Sequence, residues 1–525
     1  MKISYDLATE AWIPVRMADG SRASVGLIDA IVRAHEIASL DMMVPLEEIG
    51  VFRVLMAIAY RVVDGPRTPP KRKENYERGR FPEDKAKAYF AKYSDRFDLF
   101  DEKHPFLQTP GLSVLDKDGK DSPLLAELLC FECINNKTLF EHHGVKNPRK
   151  LAPEEAARKL VAFQYYAYSG LAKKTVNLES IGYQPNFFYA PLVSGIATIL
   201  VGPTLFDTLC LNMIVVNEGQ PIAEIDHSQN TLPWEREERL LTNKTAVPFG
   251  YFDYLVPISR HVRLIPENIE GHIVVKSLHL TQGLVYPMGF EPMYSYRQDN
   301  KDPARFYPAG LSADRALWRE SSALFAFSDG QNGDRRCGAF REFAPLREIY
   351  RKRSGTSVVR CASYGITDVN FNPILWRKES LSFPQELLES PLLVDGVVTG
   401  IKKAANISSE LRGACRMFAR IALGKDPAPE DVSKLVESLG VLPAYWAELE
   451  LPFKEFLSHI DEVGSELIWN ESMKNAALEA FGRCVDARDI ASVTRYKAIV
   501  EAERYLHAKL RAELGQEKEE AVDEH

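Results

Sequence analysis

Trp12-Ile13-Pro14-Val15 and His104-Pro105-Phe106-Leu107-Gln108-Thr109 each set a rigid proline beside a large apolar ring, and charged sequence flanks both. Proline fixes φ and offers no N–H, and the rings supply large buried area. Both strings read as packing elements of an N-terminal domain, not as an active site. Residues 2–6 and 12–17 predict the strands of a hairpin, and Ala18-Asp19-Gly20 is a turn signal before another short strand.

Outward from these strings, residues 45–63 read as a helix. Pro45 opens it, Glu47 and Glu48 sit in its first turn, and Ile49, Phe52, Leu55, Met56 and Ala59 form one apolar stripe. Asp64-Gly65-Pro66 ends it. Residues 67–80 hold Pro69, Pro70 and the basic residues Arg67, Lys71, Arg72, Lys73, Arg78 and Arg80. They read as an exposed loop, either a solvated charge run or a nucleic-acid contact. Residues 82–97 are helical in pattern.

Residues 184–290 turn β-rich, with apolar runs of strand length at 196–201 and 273–275. Residues 286–373 have weak periodicity and read as irregular and loop-rich. Past 381 helices dominate, at 401–423, 430–439, 444–460, 472–484 and 489–514, and their short connections favour an antiparallel bundle of about four. The expected class is α+β: a mixed α/β domain over 1–380, a helical bundle over 381–515, and a charged tail over 516–525.

The formal net charge is −8 over 525 residues, which argues against unaided nucleic-acid binding. Any such contact must be local or assisted by basic partners. The seven cysteines are odd in number and mostly isolated, so a reducing compartment is expected rather than a disulfide framework. Mean hydropathy is −0.22, no run approaches the roughly 18 apolar residues of a membrane span, and residues 1–6 show no signal core. A cytoplasmic chain without membrane partners is expected.

The sequence contains no Walker loop, GxSxG elbow or Rossmann glycine run, and no cofactor is expected. His35-Glu36 begins a zinc-protease-like string, but Ser39 stands where the second histidine is needed. Asp226-His227 reads as a hydrogen-bonding loop pair. Cys130 and Cys133, with His142 and His143, formally offer four zinc ligands, while the apolar run before Cys130 equally suits a buried thiol.

Three regions are candidates for DNA contact. Residues 165–174 place Ser169, Gly170, Lys173 and Lys174 after three tyrosines, where a glycine can bring backbone close to phosphate; the alternative is tyrosines that pack and lysines that are solvated. Residues 335–360 are rich in arginine, and Arg351-Lys352-Arg353-Ser354-Gly355 reads as a phosphate-gripping loop or a solvated basic surface. Residues 365–373 form a polar turn carrying Asn370 and Asn372.

In order along the chain, the Trp-Ile-Pro-Val hairpin, the His-Pro-Phe-Leu-Gln-Thr string, Gly283-Leu284, Ile374-Leu375-Trp376-Arg377-Lys378 and the helical last third resemble the large subunit (CasA family) of the type I-E CRISPR Cascade complex. The resemblance covers essentially the whole chain. It implies a C-terminal four-helix bundle after a large mixed domain. It also implies a non-catalytic role: reading a protospacer-adjacent motif in duplex DNA from the minor groove, helping to open the duplex, and recruiting a helicase-nuclease. The implied partners are the other Cascade subunits, CRISPR RNA held through the complex, and target DNA.

By the same resemblance, Lys276 takes the place of a lysine finger and residues 169–172 that of a glycine loop. Asn370, Phe371 and Asn372 take that of a duplex-splitting wedge, and Phe140 that of a contact in an early loop. One glycine stands where some relatives have several, so motif preference is open to change. Without the resemblance, a protein-interaction scaffold and a metal-dependent hydrolase are the alternatives. The missing catalytic sets count against the hydrolase.

Overall fold

In the computed structural model the first hairpin is β1 (Ile13–Met17) with β2 (Arg22–Val25), in register from Ile13↔Val25 to Arg16↔Arg22, and β3 (Ile37–Leu40) joins the other edge of β1. Among the described residues 3–6, the strand expected over residues 2–6 does not form. Asp6 instead starts a turn: its carboxylate accepts from the Ala8 N–H at 3.0 Å, and its carbonyl accepts from Thr9 and Glu10. A local Asx turn of this kind competes with strand pairing. The residues described are 3–131, 147–216, 228–237, 241–286, 291–299, 301–302, 305–313, 315–325, 335–369, 372–486 and 492–515. They fall in two units, Met1–Leu317 with Ser328–Ser380 and Trp318–Phe327 with Leu381–His525.

The first unit carries α1 (Leu27–Val32), α2 (Pro45–Val62), α3 (Pro69–Glu77) and α4 (Glu83–Lys92). The expectation of a one-sided apolar stripe on α2 is corrected. The helix is buried nearly all round, including Glu47, Glu48 and Arg53. A helix enclosed on every side must find partners for each charge it carries. Glu47 meets Lys159 and Arg158, both at 3.3 Å. Glu48 meets Lys378 at 2.7 Å and the Tyr364 hydroxyl at 2.8 Å. Arg53 meets Glu291 at 2.9 Å.

The basic run at 67–80 is also corrected, because most of it is α3 rather than loop. Thr68 caps the helix by accepting from the Lys71 N–H, and Pro69 and Pro70 occupy first-turn positions whose N–H groups have no helical partner. Arg72 is 3% exposed and donates to the carbonyls of Leu211, Met213 and Glu342. At least this one cation of the run is therefore a structural tie and not a solvated charge.

The opening strings are core. Trp12 is buried and its indole N–H donates to the Leu7 carbonyl at 2.9 Å. Phe106 is fully buried, 5.3 Å from Trp234 and 5.9 Å from Phe97. Gln108 spans two segments: its amide nitrogen donates to Leu99 O at 2.7 Å and its amide oxygen accepts from Leu264 N at 2.8 Å.

Four three-stranded sheets and a two-stranded ribbon build the unit. Besides β2-β1-β3, the sheets combine β4 (Val114–Leu115), β5 (Leu124–Leu125), β6 (Gly170–Val176), β7 (Gln184–Phe187), β8 (Ala197–Val201), β9 (Arg260–Ile269) and β10 (His272–Gln282). The ribbon is β11 (Tyr296–Gln298) with β12 (Phe306–Pro308), and the last strands are β13 (Val358–Val369) and β14 (Asn372–Pro384). The orders are β4-β6-β7, β5-β10-β9 and β14-β13-β8. Among the helices between them, α5 (Pro153–Tyr166) packs beside α2, and α6 (Leu205–Asn212) follows β8. The region read as irregular thus contains the long β13–β14 hairpin, preceded by a helix at Arg347–Ser354.

In the second unit a long helix, Pro391–Leu423, pairs with Ser465–Asp486 and Val493–Leu514, and three shorter helices complete the bundle. The expected helix over 444–460 is two, Val441–Glu448 and Glu450–Ser458. Pro452 explains the break, since its ring crowds the carbonyl four residues back. Trp318 stacks on Phe453 at 4.6 Å, and Phe456 on Trp469 at 5.4 Å. Gly400 makes the second stack possible: a Cβ there would lie 3.0 Å from both Phe456 and Trp469. Among the described residues no helix is long and apolar enough to cross a membrane.

Candidate nucleic-acid interface

Lys276 lies in the middle of β10, at a bulge. Val275 pairs with Pro266 and Ser277 with Ile265, so Lys276 is the extra residue. Pro266 has no N–H to give the ladder; the Val275 carbonyl accepts instead from the Leu151 N–H at 3.0 Å, and the Val275 N–H donates to Leu151 O at 2.8 Å. Bulges re-aim a side chain. The Lys276 ammonium is 2.7 Å from Glu267 Oε2 and its side chain is about a quarter exposed.

Gly170 is not in a loop. It is the first residue of β6, opposite Phe187, with its φ outside the left-handed region and open space where a Cβ would stand. Ser169 precedes the strand and is partly exposed, and the backbone of Lys173 is within β6. Asn372 begins β14, while Asn370 and Phe371, the two residues between β13 and β14, lie outside the described residues. β13 pairs with β8 only over Arg360–Tyr364, so the segment leading to that tip has β14 as its described ladder partner. Phe140, Cys133, His142, His143, Asp226 and His227 also lie outside the described residues.

Arg351-Lys352-Arg353-Ser354-Gly355 is a helix end rather than a loop. Gly355 takes the left-handed cap position at φ 71°. Arg351 and Lys352 are exposed, and Arg351 pairs with Glu348 at 2.7 Å. The Arg353 guanidinium is committed to the buried Asp207 carboxylate. Burial pushes this guanidinium down, and the bond to Asp207 more than offsets it. Cys130 is a buried free thiol, and no group of three metal-ligating side chains occurs among the described residues.

The fold brings part of this set together. Phe188, next to Gly170's partner Phe187, donates its N–H to Gln282 Oε1 at 2.9 Å. Gln282 is six residues beyond Lys276 on β10, roughly 20 Å along an extended strand. The segment carrying Gly170 therefore joins the hairpin at Gln282, away from Lys276 along the same strand.

Arg260, at the start of β9, was not singled out by sequence. It is 1% exposed, and its guanidinium donates to the carbonyls of Ala167, Tyr168, Phe188 and Ser259. It so ties the end of α5, the entry to β6 and the exit of β7 into one joint. Burial pushes the guanidinium down to about 9, which still leaves it charged at neutral pH. A lone arginine in an apolar strand carries no mark of such a joint. Its partners come from two distant segments and from its own neighbour Ser259.

The chain is 28% identical to the CRISPR-associated protein CasA/Cse1 of Thermus thermophilus over 530 residues, 98% of each chain. Its fold is similar to a crystal structure of Thermus thermophilus CasA, with a TM-score of 0.79 at 25% identity, over 97% of this chain and 100% of that one. It is also similar in fold to a chain of a CRISPR RNA-guided surveillance complex, with a TM-score of 0.74 at 21% identity, over 96% and 99%. The model of the CRISPR-associated protein Cse1 family matches residues 6–480, and the chain belongs to that family.

Proposed function

We propose that this chain is the non-catalytic large subunit of an RNA-guided CRISPR surveillance complex of type I-E. In that role it reads a protospacer-adjacent motif in duplex DNA, helps to open the first base pairs and recruits the helicase-nuclease. The family match over residues 6–480 carries this reading. Its partners are the other complex subunits, the CRISPR RNA, the target duplex and the nuclease, and its place is the cytoplasm.

The mechanism is physical. The minor groove presents a degenerate code, so a lysine such as Lys276 reads it permissively. An apolar ring at a base step, the role assigned to Phe371 between Asn370 and Asn372, costs a few kcal/mol of unstacking. Phosphate contacts and RNA–DNA pairing offset that cost, because strand exchange is nearly balanced. The buried Glu48, bonded to both Tyr364 of β13 and Lys378 of β14, supports a hairpin held stiffly enough to act as a wedge. A net charge of −8 suits a subunit whose own DNA contacts are local and which captures duplex DNA with the help of a larger basic assembly.

Gel shifts of the RNA-containing complex, with and without this chain, test the reading on targets with intact or scrambled flanking motif. Motif-dependent binding is expected only with the chain present, and its survival without the chain would overturn the proposal. Lys276→Ala and the double change Asn370→Ala/Asn372→Ala are each expected to weaken target capture about 5- to 100-fold, the range of one specific base contact. Their melting should stay unchanged. Unaltered capture by both variants would refute these site assignments.

A further inference from the structure

We infer that Tyr183, Phe188 and Tyr189 form a stacking platform for unpaired bases of a DNA strand; this deepens the reading of the chain as a DNA-opening subunit and rests on it. Tyr183 is 63% exposed, Phe188 49% and Tyr189 41%. In the first unit the only other exposed large hydrophobic residues, among those described, are Met43, Val247 and Tyr307. Single exposed rings are ordinary, but three within seven residues of one segment are a surface feature.

The backbone beneath the rings is fixed. Phe188 is held on both sides, its N–H by Gln282 and its carbonyl by Arg260, and both of those side chains are buried. The Ala190 N–H is bonded to Ala167 O and the Leu192 N–H to Tyr165 O, each at 2.9 Å, which laces the segment to the end of α5. Tyr189 meets Tyr168 edge-on at 5.7 Å. Rings carried on an already ordered backbone lose little freedom when a ligand arrives.

The residue types on the paired strand select the occupant. Lys174 is the ladder partner of Gln184, adjacent to Tyr183, with Lys173 before it on β6. The Asn243 amide is bonded to Gly182 O, which ties the segment of the exposed Lys244 to the residue before Tyr183. Between residues 168 and 190 the only acid is Glu179. Exposed rings on a segment with a single acid, laddered to the lysine-bearing strand β6, match a base-stacking strand, whose binding uses π-faces together with cations along the backbone. Among the described residues the exposed large apolar residues of the second unit are aliphatic except Tyr496, a single ring and not a cluster. Tyr183 and Phe188 are five residues apart, roughly 17 Å if extended, so they would hold separate bases of one strand.

The test is fluorescence anisotropy of the full chain with a labelled oligothymidylate of about 20 nucleotides, longer than a typical stacking site, at low salt. The triple variant Tyr183→Ala/Phe188→Ala/Tyr189→Ala is expected to bind at least about tenfold more weakly, since one stacked ring accounts for about 5-fold or more. The ring-keeping variant Tyr183→Phe/Phe188→Tyr/Tyr189→Phe is expected to bind within about twofold of the parent chain. Melting curves confirm that both fold. The inference fails if the parent chain does not bind the strand, if the alanine variant binds it equally well, or if the ring-keeping variant loses binding too. It also fails if the alanine variant binds the strand normally but no longer joins the complex, because the rings would then contact protein. Motif-dependent duplex capture is scored separately in the complex, so its loss or survival judges the other proposal alone.

Discussion

Arg53→Met is expected to remove about 3–5 kcal/mol of stability from the first unit, the cost of stranding one member of a buried ion pair. Arg53 sits midway along α2 with no exposed side-chain surface, and Glu291 grips it with both oxygens, at 2.9 and 3.1 Å. Its remaining donors reach Tyr254 O at 2.7 Å and Leu255 O at 3.3 Å, and its guanidinium lies over the Tyr165 ring. Removing the cation leaves a buried carboxylate without its counter-charge and Tyr254 O without this donor, while Leu255 O keeps the Tyr165 hydroxyl at 2.9 Å. The pair itself is a different quantity. Arg53→Met/Glu291→Gln is expected to recover much of the loss, because desolvation of two charges nearly cancels their attraction. Thermal melts of both variants against the parent chain check this. The single change should lower the first unit's transition by roughly 5–10 °C, given about 2 °C per kcal/mol in a large domain. A double variant no better than the single one would show that the pair is worth more than its desolvation.

Arg260→Leu is the second large effect. Four carbonyls, of Ser259, Ala167, Tyr168 and Phe188, share this one guanidinium. Ala167 O keeps the Ala190 N–H, and Ser259 O keeps the Gly283 N–H and the Gln282 amide, so the loss falls on Tyr168 O and Phe188 O; at about 1–3 kcal/mol for each, roughly 2–6 kcal/mol is expected. The functional consequence is more specific. The joint between α5, β6 and β7 would loosen, so strand binding at Tyr183, Phe188 and Tyr189 should fall as far as in the alanine variant. Measured well below the melting transition, that fall separates loss of positioning from loss of folding. Arg260→Lys is expected to restore little, because one ammonium with three donors cannot reproduce the fork that reaches four carbonyls. Strand binding that survives Arg260→Leu in a folded chain would show that the joint does not position the rings.

Helices long enough to repeat their pattern were legible in the sequence. Residues 45–63 were expected and Pro45–Val62 is observed, because Pro at the first position, acids in the first turn and a glycine stop are local signals. The second unit's long helix was legible only from Ile401. Its first turns carry Gly396 and Gly400, which weaken local helix preference; Ser390 caps it by accepting from the Leu393 N–H with Pro391 at the first position, and Trp469 and Phe456 pack against Gly400. The basic stretches at 67–80 and 351–355 depart from expectation for one shared reason. Charge composition looks like a solvated loop, whereas Arg72 and Arg353 each find a buried acceptor contributed by residues more than a hundred positions away.

The candidate interface divides along the same line. Residue types and their order along the chain, with Lys276 before Gly283-Leu284 and asparagines before Ile374-Leu375-Trp376, were sufficient to point to the family, since order and chemistry are properties of the chain itself. Tertiary pairing alone revealed that Lys276 occupies a bulge opposite Pro266-bearing β9, that Gly170 opens a strand, and that Arg260 rather than any glycine sets the geometry beside it. A bulge needs a partner strand, and a buried guanidinium needs carbonyls from three segments. Neither requirement leaves a periodic or local trace in one sequence. The hairpin string around Trp12 and the turn around Phe106 were readable as core for the converse reason: burying a large ring beside a rigid proline is favourable whatever lies across from it.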